Sequence, residues 1–265
     1  MINVKSTLTY KALAIFGHSL KDFLITLGNV GKDFSRVFYY ILKLRINVKA
    51  TIEQSSRFAV DSLPITLTIV SMTSIIIAMQ IAPELAKQGA EGYIGMLSSL
   101  VMVRELACIM SGFAIISMIG SSFASELASM AVGEQISAMK SLKVDPIEYL
   151  VVPRFLAGVI MMPFVFILSS FAGLVCAGYI SKITANLSLL NYVNSLWQGL
   201  YVRDILIAML KASFFGGTIA LISCSCGYST RGGAKEVGIA TTRAVVWSFL
   251  AIAIWDYIFA AIFYL

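Results

Sequence analysis

Charge is scarce in this 265-residue chain. Only 13% of its residues are Asp, Glu, Lys or Arg, against about 25% in a soluble globular protein. With 58% hydrophobic residues and a mean hydropathy of +0.87, a soluble body of this size would lack polar surface. Histidine is nearly missing. The single His18 leaves catalysis or metal binding built on imidazole without partners, and no acidic cluster replaces it, so no metal is expected. Four cysteines, Cys108, Cys176, Cys224 and Cys226, all lie in apolar stretches. The C-x-C pair at 224 and 226 has no second Cys or His cluster, so all four read as reduced packing residues. The G-x-x-x-x-G-K-[ST] phosphate loop is also missing. Arg231-Gly232-Gly233 has neither its lysine nor its strand-to-helix setting. Any ATP must therefore be hydrolysed by another chain, and no cofactor is expected. The first 20 residues carry Lys5, Lys11 and His18 and show no clean secretory h-region.

What is present is apolar length. Five stretches, about 62–83, 106–125, 155–181, 205–225 and 244–265, approach or exceed the roughly 20 residues that span a 30 Å hydrocarbon core. Before them, residues 18–44 repeat apolar side chains at helical spacing: Phe23, Leu24, Leu27, Val30, Phe34, Val37, Phe38, Ile41 and Leu42. Lys21, Lys32, Arg36, Lys43 and Arg45 fall between them. A basic amphipathic helix rich in aromatics suits a membrane interface. The expected fold is an all-α polytopic membrane protein: an N-terminal interfacial region, 1–57, and a permease-like domain, 58–265, of five transmembrane helices.

Five spans put the N-terminus, residues 129–154 and residues 226–243 on one side. That side carries fifteen Lys or Arg, and the other carries five. The positive-inside rule then places the N-terminus in the cytoplasm. It also explains the net charge of +6 without any nucleic-acid partner.

Charges inside apolar spans are costly and mark function by default. Arg104 and Glu105 sit at the outer end of span two, and Lys211 lies a little way into span four from the same side. The three are expected to line an outward-opening substrate cavity. Together the three carry a net charge of +1 in each chain. Asp256, inside span five, has no evident partner. On the basic side, residues 131–149 are polar and amphipathic. Met130, Ile136, Met139 and Leu142 give one apolar face, with Glu134, Gln135, Lys140 and Lys143 around it. This predicts a short helix ended by Pro146, placed to receive force from a cytosolic ATPase.

Several segments resemble the MlaE (YrbE) family of ABC-transporter permeases. They are Ser62-Leu63-Pro64-Ile65 with Gln80, Arg104-Glu105-Leu106, and Ala124-Ser125-Glu126-Leu127-Ala128-Ser129-Met130. They continue in Glu134-Gln135-Ile136, Asp145-Pro146-Ile147, Tyr149 through Arg154, Gly232-Gly233-Ala234, and Ala240 through Val245. The resemblance covers about 58–265. It implies a homodimer that moves phospholipids or other lipids between membranes. It further implies a cytosolic ATPase bound through the helix between spans two and three, here Glu134, Gln135, Ile136, Met139, Leu142, Asp145 and Pro146. An MCE-domain protein would sit on the outer side, and the location would be a bacterial-type inner membrane or an organelle envelope. Two departures stand out. Ala107-Cys108 replaces Gly-Pro, which predicts a straighter span two near its outer end. Ser117-Met118-Ile119-Gly120 replaces Gly-Arg-x-Gly, which makes the path more apolar. The competing reading is an ion-coupled secondary transporter using Glu105, Lys211 and Asp256 as a charge relay.

Overall fold

A computed structural model describes residues 28–264 of the chain. The first ten residues of the expected N-terminal helix, 18–27, with His18 and Lys21, lie outside them. Among the described residues the protein is helical throughout, without strands. A helix over 28–42, α1, leads through a turn with a left-handed Leu44 (φ 54°) into α2, Val48–Lys87. The helices α3 (Glu91–Val132), α5 (Ile147–Ala185), α7 (Val202–Tyr228) and α8 (Ala234–Phe263) complete five elements long and apolar enough to cross a membrane. Two short helices join them: α4 (Gln135–Ser141) and α6 (Leu189–Gly199). At 40 residues α2 is about 60 Å long, twice a hydrocarbon core, so its N-terminal turns project beyond it. It runs without a break through residue 57.

The packing of α2 is written at four-residue intervals. Its buried positions are Phe58, Ser62, Thr66, Val70, Ser74, Ala78 and Ala82, one ridge of mostly small residues. That ridge lies on α5, where a Cβ added at Gly173 would stand 3.3 Å from both Val70 and Ser74. Ridges with this period let helices approach closely, and small residues make the approach possible without a hydrophobic driving force. The Ser62 and Thr66 hydroxyls donate to Phe58 and Ser62 carbonyls, 2.7 and 2.9 Å away, so neither is left unpaired in the apolar interior. A closer approach joins α5 to α7, where Gly158 and Gly216 bring backbone against backbone and a Cβ on either would strike the other's carbonyl.

Three expectations change. Between the third and fourth apolar stretches, where the sequence predicts no helix, lies α6. Its inner face holds Tyr192, Ser195 and Gly199; Gly95 and Met96 of α3 pack against it, and the Ser195 hydroxyl accepts from the Met96 N–H at 3.1 Å. Its apolar spacing was masked by Asn191 and Asn194. Span two starts at Glu91, well before Leu106, because Arg104 and Glu105 find partners inside the bundle. Near its outer end it carries a π-helical turn, Met102–Leu106, rather than an undisturbed α-helix, and a second π turn holds Ile116–Gly120. Losing a proline therefore did not make this segment regular. Such turns recur at functional sites.

Candidate functional site

Two groups of charge lie at opposite ends of the bundle. At the end away from α1, Lys211 of α7 is wholly buried. Its ammonium donates to Glu105 Oε2 at 2.6 Å and to the Arg104 carbonyl at 3.2 Å, and it forms an ion pair with Asp256 of α8. One lysine thus ties α3, α7 and α8 together. A lone ammonium at this depth would cost several kcal/mol, about 2.5–3.5 on insertion scales. Two carboxylates and a carbonyl offset that cost. Arg104 turns elsewhere. Its guanidinium donates to Asp204 Oδ2 at 3.1 Å and lies 4.8 Å from the Tyr264 ring. Asp204 in turn accepts from the Tyr201 N–H and caps α7.

These contacts correct the expected cavity rim in two respects. Lys211 has no exposed surface, so it braces Glu105 from behind instead of lining an open space. The formal charge also reverses sign. With Asp204 and Asp256 included, each chain places two cations against three carboxylates here. The earlier total counted only residues visible as a set in the sequence. The partner of Asp256 could not be read there because it depends on which helices adjoin.

At the α1 end, Glu126 of α3 is held between Arg57 of α2 and Arg154 of α5. Arg154 donates to Glu126 Oε2 at 3.0 Å and to the Leu150 carbonyl at 2.8 Å. Arg57 pairs with Glu126 Oε1 and donates to the Ser122 hydroxyl at 3.1 Å. Sequence reasoning named Glu126 and Arg154 only as parts of two family-like segments and missed this group. Met118, where the family often has arginine, lies partly exposed in the second π turn.

The short helix between the second and third spans also lies at the α1 end. Gly133 ends α3, and Glu134 takes a left-handed conformation (φ 57°) that turns the chain into α4. Ile136 is buried, and Met130 and Met139 pack against the core. Leu142 does not join them: it is 76% exposed. The expected four-residue apolar face is therefore split. Ile136 and Met139 anchor the helix, Met130 belongs to the last turn of α3, and Leu142 points away. Nor does Pro146 end the helix. α4 stops at Ser141, Lys143 turns the chain at φ 59°, and Pro146 begins α5. Proline suits a first helical position, where its missing N–H would be unpaired anyway. Asp145 caps that start, accepting from the Ile147 N–H at 3.0 Å.

Asp145 also fastens α1. Arg36 and Tyr40 both donate to its Oδ2, at 2.6 and 2.5 Å. Burial alone would raise the Asp145 carboxyl. The Tyr40 hydroxyl, the Ile147 N–H and the Arg36 charge outweigh burial and hold it below its ordinary value. The same hydrogen bond pushes the Tyr40 hydroxyl up. Among the described residues no cluster of His, Cys, Asp and Glu is placed to hold a metal, and the four cysteines are free thiols.

The family model of permease MlaE matches residues 51–262. The chain belongs to the MlaE permease family. It is 39% identical over 219 residues to the probable ABC transporter permease protein slr1045 of Synechocystis, an alignment covering 83% of each chain. It is 34% identical over 225 residues to the probable ABC transporter permease protein RP096 of Rickettsia prowazekii, covering 84% of this chain and 86% of that one. It is 33% identical over 229 residues to protein TRIGALACTOSYLDIACYLGLYCEROL 1, chloroplastic, of Arabidopsis thaliana, covering 86% of this chain and 65% of that one. The protein is thus a multi-pass permease of the ABC-transporter type, with relatives in bacteria and chloroplasts.

Proposed function

We propose that two copies of this chain form the membrane path of a transporter that moves phospholipids or related lipids between membranes. A separate cytosolic ATPase drives it, and an MCE-domain protein receives or delivers lipid on the outer side. The observation that carries the lipid reading is the Arabidopsis relative, whose name is that of a diacylglycerol glycolipid. The bundle suits such cargo, since its buried charges gather in two groups at its ends and the length between them is mainly apolar. Arg104 and Glu105, each about one-third exposed, are the residues in this reading that orient a headgroup. The α1 end faces the cytoplasm, which agrees with the fifteen basic residues that five spans put on the N-terminal side of the sequence. There α4 offers what a force-transmitting contact needs: an anchored base at Ile136 and Met139, and a projecting Leu142 beside Glu134 and Gln135.

Mass spectrometry of lipids retained by the purified complex tests the cargo. A diacyl lipid held in stoichiometric amount is expected; none above detergent background contradicts it. Replacing Glu134 with Lys is expected to weaken ATPase co-purification without affecting insertion. The Glu105–Lys211–Asp256 group favours one rival, an ion-coupled carrier. In that case lipid movement would follow an imposed proton gradient and ignore ATP.

A further inference from the structure

The α1 end also contains a cleft that this reading does not use. Two adjoining cavities, of about 350 and 500 Å³, open between α1, α4, the α7–α8 turn and the first turns of α8. Asn29, Ser229, Thr230 and Arg231 line both. Four cations border them, Lys32, Lys140, Arg231 and Arg243, against two carboxylates, Asp33 and Glu236. The imbalance is greater than that count. Burial pushes the Asp33 carboxyl up, against a hydrogen bond with Ser225 and the charge of Arg36. Lys140 lies 5.0 Å over the Tyr228 ring. Among the described residues neither Lys32 nor Arg231 has an ion-pair partner. The chain is bare between them. Gly232 has φ +121°, and a Cβ at Gly233 would meet nothing within 4 Å. The 30-residue α8 starts here with no side-chain cap, adding the positive end of its dipole.

Position selects the ligand. On α1, Phe34, Phe38 and Leu42 are exposed, two aromatics and a leucine turned out from the bundle. A helix with that outer face and Lys32 and Arg36 beside it lies in the headgroup layer. The cleft, which takes Lys32 and Asp33 from this helix, is then level with lipid phosphates. An acidic peptide would match the cations, but at that depth the phosphate headgroups are the anions already in place.

We propose that this cleft binds the phosphate-bearing headgroup of an acidic lipid from the adjoining leaflet, a second lipid contact separate from the path through the bundle. It does not depend on which lipid is moved. A basic side chain near an anionic surface contributes about 1 kcal/mol, so neutralising two should lower retention about thirtyfold.

The full chain, purified with its ATPase, would be equilibrated with mixed phosphatidylglycerol and phosphatidylcholine, and the retained lipid counted by native mass spectrometry. The double variant Lys32→Gln/Arg231→Gln alters two exposed side chains outside the buried core. It is expected to lose phosphatidylglycerol about thirtyfold and to keep phosphatidylcholine, and high salt should reproduce the loss in the unaltered protein. Equal phosphatidylglycerol retention in both proteins would overturn the proposal. So would competition in which millimolar inorganic phosphate alone displaces phosphatidylglycerol, since the site would then serve a soluble anion. Loss of the ATPase with lipid retention unchanged would make the cleft a protein contact and likewise overturn it. ATPase co-purification and ATP-driven transport, read on the same samples, report separately on the transporter assignment.

Discussion

At the end of the bundle away from α1 a buried lysine sits between two carboxylates; at the α1 end a partly exposed carboxylate sits between two arginines. The chemistry is mirrored, but the surroundings differ. Lys211 has no exposed surface and depends on Glu105 and Asp256, whereas Glu126 and Arg57 are 30% and 41% exposed, and the buried Arg154 keeps the Leu150 carbonyl as a second partner. Buried charges must be matched or the fold fails, because nothing else can solvate them. Partly exposed charges can exchange a protein partner for water at small cost. The outer group therefore reads as a fixed fastening of α3, α7 and α8. The inner one reads as a releasable tie of α2, α3 and α5, at the end where an ATPase would act.

The largest expected effect tests the fixed fastening. Lys211→Met leaves Glu105 and Asp256 without their cation and should destabilise by about 3–5 kcal/mol. Thermal unfolding in detergent would show it as a large drop in Tm or as loss of folded protein. Adding Glu105→Gln and Asp256→Asn should restore most of the loss, since the penalty is the uncompensated charge. If Lys211→Met costs no more than a change at Glu126, the contrast between the ends fails. Next in size, Gly216→Ala puts a methyl against the Gly158 carbonyl between α5 and α7. Overpacking of this kind costs about 1–3 kcal/mol. The same measurement checks it, and Gly158→Ala should match it because the contact is reciprocal.

Glu126→Gln should cost about 1 kcal/mol or less, and its effect should shrink in high salt. Cysteine cross-linking between α2 and α5 near this tie is expected to fall in the variant while the outer end stays unchanged. The smallest effect concerns α1. A carboxyl held below its ordinary value stabilises the folded state above that value, near pH 4. Its contribution disappears as pH falls through the folded-state value. Hydrogen exchange over residues 28–42 should therefore stay slow at neutral pH and accelerate below about pH 4. Asp145→Asn should make it fast at both, while exchange around Lys211 does not change.

The spans were legible because membrane length and apolar composition are local properties. Their ends were less so. Arg104 and Glu105 looked like a boundary because a sequence shows a charge but not the Asp204 or Lys211 that compensates it across the bundle. The same limit hid the partner of Asp256 and the tie at Glu126, both made between helices far apart in the chain. The helix α6 was missed for a different reason. Its apolar spacing at Leu189, Tyr192, Val193 and Leu196 was present, but Asn191 and Asn194 lowered the average, so a search for spans passed over it. At α4 the helical spacing was read correctly. The fate of Leu142 was not, since a face continuous on paper ended where the helix ended, one residue earlier.

The most direct test of the account is transfer of a labelled phospholipid from proteoliposomes holding this chain with its ATPase and outer partner. The account predicts transfer that requires ATP hydrolysis and is lost with Glu134→Lys in α4 while the chain stays folded and inserted. Transfer that proceeds without ATP and follows a proton gradient would contradict it, and would return Glu105, the buried Lys211 and Asp256 to the centre of the mechanism.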